Sequence, residues 1–218
     1  AWLDGLAAIV RDDALDPAFR ALCLALPGED ETAQALFEAG TTPDPMAIHD
    51  AVETAKLAMA QHMQDLLPRI QADCVIDAPF SPDADQAGKR ALGNAAMGLL
   101  TRLDGGALAA RQFDSADNMT QSLAALSALL GIGKGREELA AFRARWQDDR
   151  LVMDKWFGLQ VARAEPDHAA SVADMLTQDP DFEWKNPNRF RAVLASLAMN
   201  PAGFHHPSGA GYDLLAHW

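Results

Sequence analysis

The chain has 218 residues, 49% of them hydrophobic, and a formal net charge of −13. That length and apolar content suit a globular chain with a sizeable core and exclude a disordered one. The acidic balance argues against a nucleic-acid or anionic-membrane partner, whose phosphates are bound by clustered Lys and Arg, and no apolar run reaches the length of a membrane span. The start, Ala1-Trp2-Leu3-Asp4, has neither a basic stretch before an apolar core nor an initiator Met, so it reads as a piece of a longer chain without a signal peptide. Cys23 and Cys74 are too few for a disulfide framework; the expectation is two reduced thiols in a cytoplasmic protein.

Trp2 to Val10 and Asp16 to Leu26 read as short helices, the second with Asp16 as N-cap and Pro17 as its first residue. Thr32 to Ala39 is a third, with Leu36 and Phe37 turned inward and Gly40 ending it. Asp44 or Pro45 opens a long helix whose apolar stripe is Val52, Met59, Met63 and Leu66, and Pro68 kinks or ends it. Cys74-Val75-Ile76 is strand-like but too short to support a sheet.

After a loop over Ala78 to Asp85, a helix is expected from about Ala87 to Leu103, with Leu92, Leu99 and Leu103 on one side. Its Gly93, Ala95, Ala96 and Gly98 predict a closely approaching neighbour, and Gly105-Gly106 break it. A short helix or turn leads to Phe113. From Asp117-Asn118 the next helix carries Met119, Leu123, Leu126 and Leu130 as its core stripe. Gly131-Ile132-Gly133-Lys134-Gly135 resembles a phosphate loop, but it lacks the G-x-x-x-x-G-K-[ST] spacing and follows a helix, not a strand.

Arg136 to Asp149 is predicted helical with Leu139, Phe142 and Trp146 inside, and Leu151 to Arg163 with Val152, Trp156 and Leu159 inside. Pro166 to Thr177 follows. Asn186 then suits an N-cap and Pro187 a first helical position, and Phe190, Val193, Leu194 and Leu197 mark one apolar face up to Met199-Asn200-Pro201. A last helix starts at Tyr212. Successive amphipathic helices with short turns and no sheet predict an all-α fold, an α-α superhelix of antiparallel helix pairs of the HEAT or armadillo type, spanning residues 1–218 as a single domain.

Arg189 and Arg191 fall on opposite flanks of the Phe190 face, at the positive end of the helix dipole, where a cation is disfavoured. Two readings account for them: structural pairing with carboxylates, or an arginine reaching toward an anionic group elsewhere. Catalytic chemistry is not visible. The histidines, His49, His62, His168, His205, His206 and His217, form no H-E-x-x-H pair, and there is no G-x-S-x-G elbow, paired-cysteine metal motif or dinucleotide loop. Neither a catalytic residue nor a metal site is therefore assigned to this chain.

Five segments carry a resemblance: Asp117-Asn118-Met119-Thr120, Leu151-Val152-Met153-Asp154-Lys155-Trp156-Phe157, Asn186-Pro187-Asn188-Arg189-Phe190-Arg191, Asn200-Pro201-Ala202-Gly203-Phe204-His205 and Gly209-Ala210-Gly211-Tyr212. In order and spacing they resemble the C-terminal region of bacterial aminopeptidase N, a gluzincin zinc metallopeptidase family. The resemblance implies a catalytic zinc domain N-terminal to this region, carrying H-E-x-x-H and G-x-M-E-N, as its partner in the same polypeptide. It implies a helical superhelix that caps the zinc site and walls a chamber for peptide substrates. Arg191 matches an arginine that family members project toward that chamber, where a peptide carboxylate suits a planar guanidinium; Arg189 is the second candidate. Zinc belongs to the full-length enzyme and no cofactor to this chain. Family members continue past the Gly-Tyr segment, so helices beyond Trp218 are expected to be missing here and an apolar edge left open. The alternative is a free-standing helical-repeat scaffold that binds a protein partner.

Overall fold

The computed structural model describes residues 1–218, folded entirely as helices and turns with no strand. Contacts gather the chain into two compact units, residues 1–27 with 52–132 and residues 28–51 with 133–218. No helix is long and apolar enough to cross a membrane.

The first unit contains α1 (Trp2–Arg11), α2 (Pro17–Cys23), the second part of α4 (Pro45–His62), α5 (Leu67–Asp73), α6 (Ala84–Asp104), α7 (Ala107–Ser115) and α8 (Met119–Leu130). Its main core joins Val10, Met59, Met63, Leu67, Leu92 and Leu99 with their neighbours, and a smaller cluster joins Met97, Ala109, Ala125 and Leu129. α6 is the central rod. A Cβ on Gly88 would lie 3.2 Å from the Ala18 nitrogen, and one on Gly93 would lie 3.0 Å from the Cys74 Cβ, so α2 and α5 approach α6 through its glycines. Gly98, expected to share that role, faces open space. Gly105 ends α6 in the left-handed region at φ 65°, a conformation that glycine adopts without strain.

The second unit contains α3 (Glu29–Glu38), the start of α4, α9 (Arg136–Trp146), α10 (Arg150–Ala162), α11 (Ala169–Thr177) after a single 3₁₀ turn at Pro166–His168, α12 (Pro187–Phe190), a π-helical turn at Arg191–Ala195, α13 (Ser196–Ala198), α14 (Pro201–Phe204) and α15 (Ala210–His217). Phe142, Phe157, Met153, Leu176, Leu194 and Leu197 are its largest fully buried side chains. Trp156 lies edge-on to Phe157 at 4.9 Å and donates its indole N–H to the Leu139 carbonyl at 3.0 Å. Trp218 packs edge-on against Phe182 and Phe190, with centroids 5.6 and 6.3 Å away.

Several local expectations are corrected. α2 stops at Cys23 instead of Leu26, and α3 begins at Glu29 instead of Thr32, because the Glu31 carboxylate accepts the Gly28 N–H at 3.0 Å and moves the start upstream. Phe37 is 68% exposed and not inward; only Leu36 is half-buried. The buried stripe of α8 is Ser122, Ala125, Leu126 and Leu129, turned away from the expected Leu123 and Leu130. Asp149 does not continue α9. It caps α10, accepting the Leu151 and Val152 N–H groups, as a short carboxylate does at a helix start. Cys74 caps α5 and Val75 is 67% exposed, so the strand-like fragment is a helix exit.

Candidate functional site

The segment holding both candidate arginines is built against α10 at three levels. At the first, Arg189 is 5% exposed and donates its Nε–H to the Asp154 carboxylate at 2.6 Å. Its other nitrogens reach the carbonyls of Asp181 and Arg150, and its guanidinium lies over the Phe157 ring, 4.4 Å from the centroid. This is how a buried cation is tolerated: the charge is paired and each remaining nitrogen has a partner.

At the second level Gly158 faces the π turn. A Cβ there would lie 3.2 Å from the Ala192 carbonyl oxygen and 3.3 Å from the Ser196 hydroxyl. At the third, the Asn200 amide donates to the carbonyls of Val161 at 3.2 Å and Ala164 at 3.0 Å. Its own oxygen accepts the Gly203 N–H at 3.1 Å and caps α14. Asn200 is buried with every amide valence turned to the main chain, so it locks the end of the run to the end of α10.

The start of the run follows its sequence. Asn186 caps it, accepting the Asn188 N–H at 3.1 Å, and Pro187 occupies the first turn. Residues Arg191–Ala195 form a π turn that the apolar spacing does not signal. Arg189, Val193 and Leu197 are all buried and recur every four residues, a spacing that the wider i→i+5 turn brings onto one face. Phe190, placed in the apolar stripe from sequence, is only half-buried; Arg189 holds the inward position.

Arg191 stands apart. Its side chain is exposed and has no hydrogen bond or ion pair. A single residue, Phe190, separates a fully engaged guanidinium from one that faces solvent.

The loop leading into this helix is pinned by further arginines. Arg143 donates to the Asp179 carboxylate at 2.6 and 2.9 Å and to Asp181 at 2.6 Å, and its guanidinium lies 4.7 Å from the Trp156 ring centroid. Burial alone pushes the Asp179 carboxyl up, but the hydrogen bonds from Arg143, the Asp181 N–H and the charges of Arg143 and Arg189 outweigh it and hold it below the usual carboxylate range. Arg150 pairs with Glu183 at 3.1 Å in an exposed position.

The glycine-rich segment that follows is also structural. A Cβ on Gly203 would lie 2.4 Å from the Ala169 Cβ, and one on Gly211 would lie 2.5 Å from the Phe204 carbonyl oxygen. His205 hydrogen-bonds the Tyr212 hydroxyl, and both rings lie edge-on to Phe204. His206 joins Ser208 and Asp167, each at 2.9 Å, in a serine–histidine–aspartate chain. Asp167 is 73% exposed, so this chain is a solvated staple across two turns and lacks the dry setting that gives such a relay its force.

Nowhere do three or more His, Cys, Asp or Glu side chains come together in a metal-binding arrangement. Both cysteines are free and half-buried, and burial pushes the Cys74 thiol up. Asp154, Gly158 and Asn200 carry the geometry here, yet their sequence gave them no role. One signal was legible: Asp154 interrupts the apolar stretch Val152-Met153 and Trp156-Phe157, where an acid needs a buried partner.

Comparison with known proteins places these observations in a family. Residues 1–218 match the family described as "Domain of unknown function (DUF3458_C) ARM repeats". Aminopeptidase N of Caulobacter vibrioides is 42% identical over 221 residues, covering 99% of this chain and 25% of that protein. Aminopeptidase N of Escherichia coli is 33% identical over 219 residues, covering 97% of this chain and 24% of that protein. Among solved structures, Legionella pneumophila aminopeptidase A in complex with aspartic acid superposes with a TM-score of 0.84 at 28% identity, covering 99% of this chain and 26% of that one. The chain thus spans about a quarter of the length of the relatives it matches. It belongs to the DUF3458_C ARM-repeat family and corresponds to one region of aminopeptidase N.

Proposed function

We propose that this chain is the non-catalytic C-terminal domain of a zinc-dependent aminopeptidase that removes N-terminal residues from peptides. In this reading residues 1–218 act as one domain that caps the zinc site and walls the substrate chamber. The observation that carries it is the near-complete match of the chain to a quarter of proteins named aminopeptidase N. The residues of this chain do not fit a catalytic zinc, which needs three convergent protein ligands. The metal and the peptide-cleaving groups belong to the rest of the polypeptide, the domain's partner. Two unbridged thiols suit a reducing compartment, and we place the enzyme in the cytoplasm.

Within the chamber Arg191 binds the carboxylate of a peptide substrate. Its side chain is exposed and unpaired on a helix fixed by Asp154 and Asn200, so it offers two parallel N–H donors from a rigid base. Arg189 serves this role indirectly, by anchoring the helix through its buried pair with Asp154. The test is aminoacyl-amide hydrolysis by the full-length polypeptide and by the 218-residue chain, each with and without added zinc. Zinc-dependent hydrolysis by the former alone is expected; hydrolysis by the isolated chain overturns the proposal.

A further inference from the structure

We propose that Gly158 is a positioning residue for Arg191: the bare face it gives α10 lets the π turn settle there, and the seated turn sets where the Arg191 guanidinium points. This rests on the carboxylate-binding reading of Arg191 given above.

The geometry is local and directional. Arg189 cannot shift, because Asp154 and two carbonyls hold its guanidinium. Asn200 cannot shift, because its amide is bound to the end of α10. The stretch between these anchors is the π turn, and its Ala192 carbonyl lies against Gly158. A side chain at 158 would meet Ala192 main-chain atoms, with the carbonyl oxygen at 3.2 Å and the Cα at 3.8 Å. Ala192 is bonded to Arg191. With both ends pinned, any push at 158 is taken up by the residues between them, and Arg191 is the exposed one of these with a charge to aim.

An alanine at 158 requires its neighbours to give by a few tenths of an ångström, and the Ser196 hydroxyl at 3.3 Å is the easier of the two to move. A branched side chain requires the main chain of the turn to move. Small displacements of this kind are costly where a bidentate contact must meet a planar carboxylate.

The experiment uses the full-length polypeptide and one peptide in two forms, with a free C-terminal carboxylate and with a C-terminal amide. Gly158→Val is expected to raise KM for the free acid about tenfold, the effect of weakening one charge-assisted contact, with kcat and the amide form unchanged. Adding Gly158→Val to Arg191→Ala should do nothing further. Gly158→Ala is expected to act more weakly and to be relieved by Ser196→Ala, which removes one facing atom; this pair keeps the test open if the valine variant does not fold. Equal losses for acid and amide, or full additivity with Arg191→Ala, overturn the inference. If Arg191→Ala discriminates acid from amide and neither Gly158 variant does, this inference fails alone. If Arg191→Ala does not discriminate, the carboxylate reading fails and takes this inference with it.

Discussion

In the unit formed by residues 1–27 and 52–132, the central rod α6 is held by leucine, methionine and alanine packing, and glycines let its neighbours come close. Its buried arginines are satisfied mainly by carbonyls: Arg20 donates to the Val10 carbonyl at 3.0 and 2.7 Å, and Arg90 to the Ser81 carbonyl at 2.7 Å. In the unit formed by residues 28–51 and 133–218, α10 is pinned at both ends by polar groups, and the arginines meet carboxylates. Apolar packing tolerates volume-conserving changes and involves no charge for salt to screen or pH to titrate. Buried charge pairs fix geometry more strictly and fail badly when one member is lost. A unit that must hold a reactive or binding side chain in one direction has reason to be built the second way.

The largest expected effect is on that second unit. Arg189→Met leaves the Asp154 carboxylate unpaired and mostly buried, and should destabilise the fold by about 3–5 kcal/mol in a urea titration. Adding Asp154→Leu should restore most of that loss, because an apolar pair replaces the ionic one. Failure of the double variant to recover would break the contrast between the units.

Leu92→Ala in the first unit, at 1% exposure, should cost about 2–5 kcal/mol by leaving a cavity. Its cost should not shrink at high salt, measured in the same titration.

Arg191→Ala should leave stability within about 0.5 kcal/mol, as for an unpaired surface residue. Asp179→Asn removes a carboxylate that Arg143 holds, so its small cost should show at neutral pH and vanish in acid. The folded carboxyl titrates below its ordinary value of 3.8. Its stabilisation is therefore complete above that value and is lost as pH falls through the lower folded value. The variant should unfold with a flatter pH dependence in that window, followed by circular dichroism.

Much of the fold was legible. Helix starts marked by Asp16 and Asn186 carry the expected side-chain cap, and Asn118 caps the helix expected to start there, because capping chemistry is local. The all-α class followed from apolar periodicity alone. What escaped depended on distant partners. Phe37 carried an apolar signal but lies exposed, and the π turn left no mark in the periodicity of Phe190, Val193, Leu194 and Leu197. The two arginines are alike in sequence, which shows their spacing but not that Asp154, thirty-five residues earlier, pairs with one of them.

The most direct test of the central claim is the ratio of kcat/KM for a free-acid peptide to that for its C-terminal amide, in the full-length polypeptide with and without Arg191→Ala. The account predicts that the substitution lowers the free-acid value by about 1.5–3 kcal/mol of transition-state binding while sparing the amide. An equal fall for both substrates, or none, would contradict it.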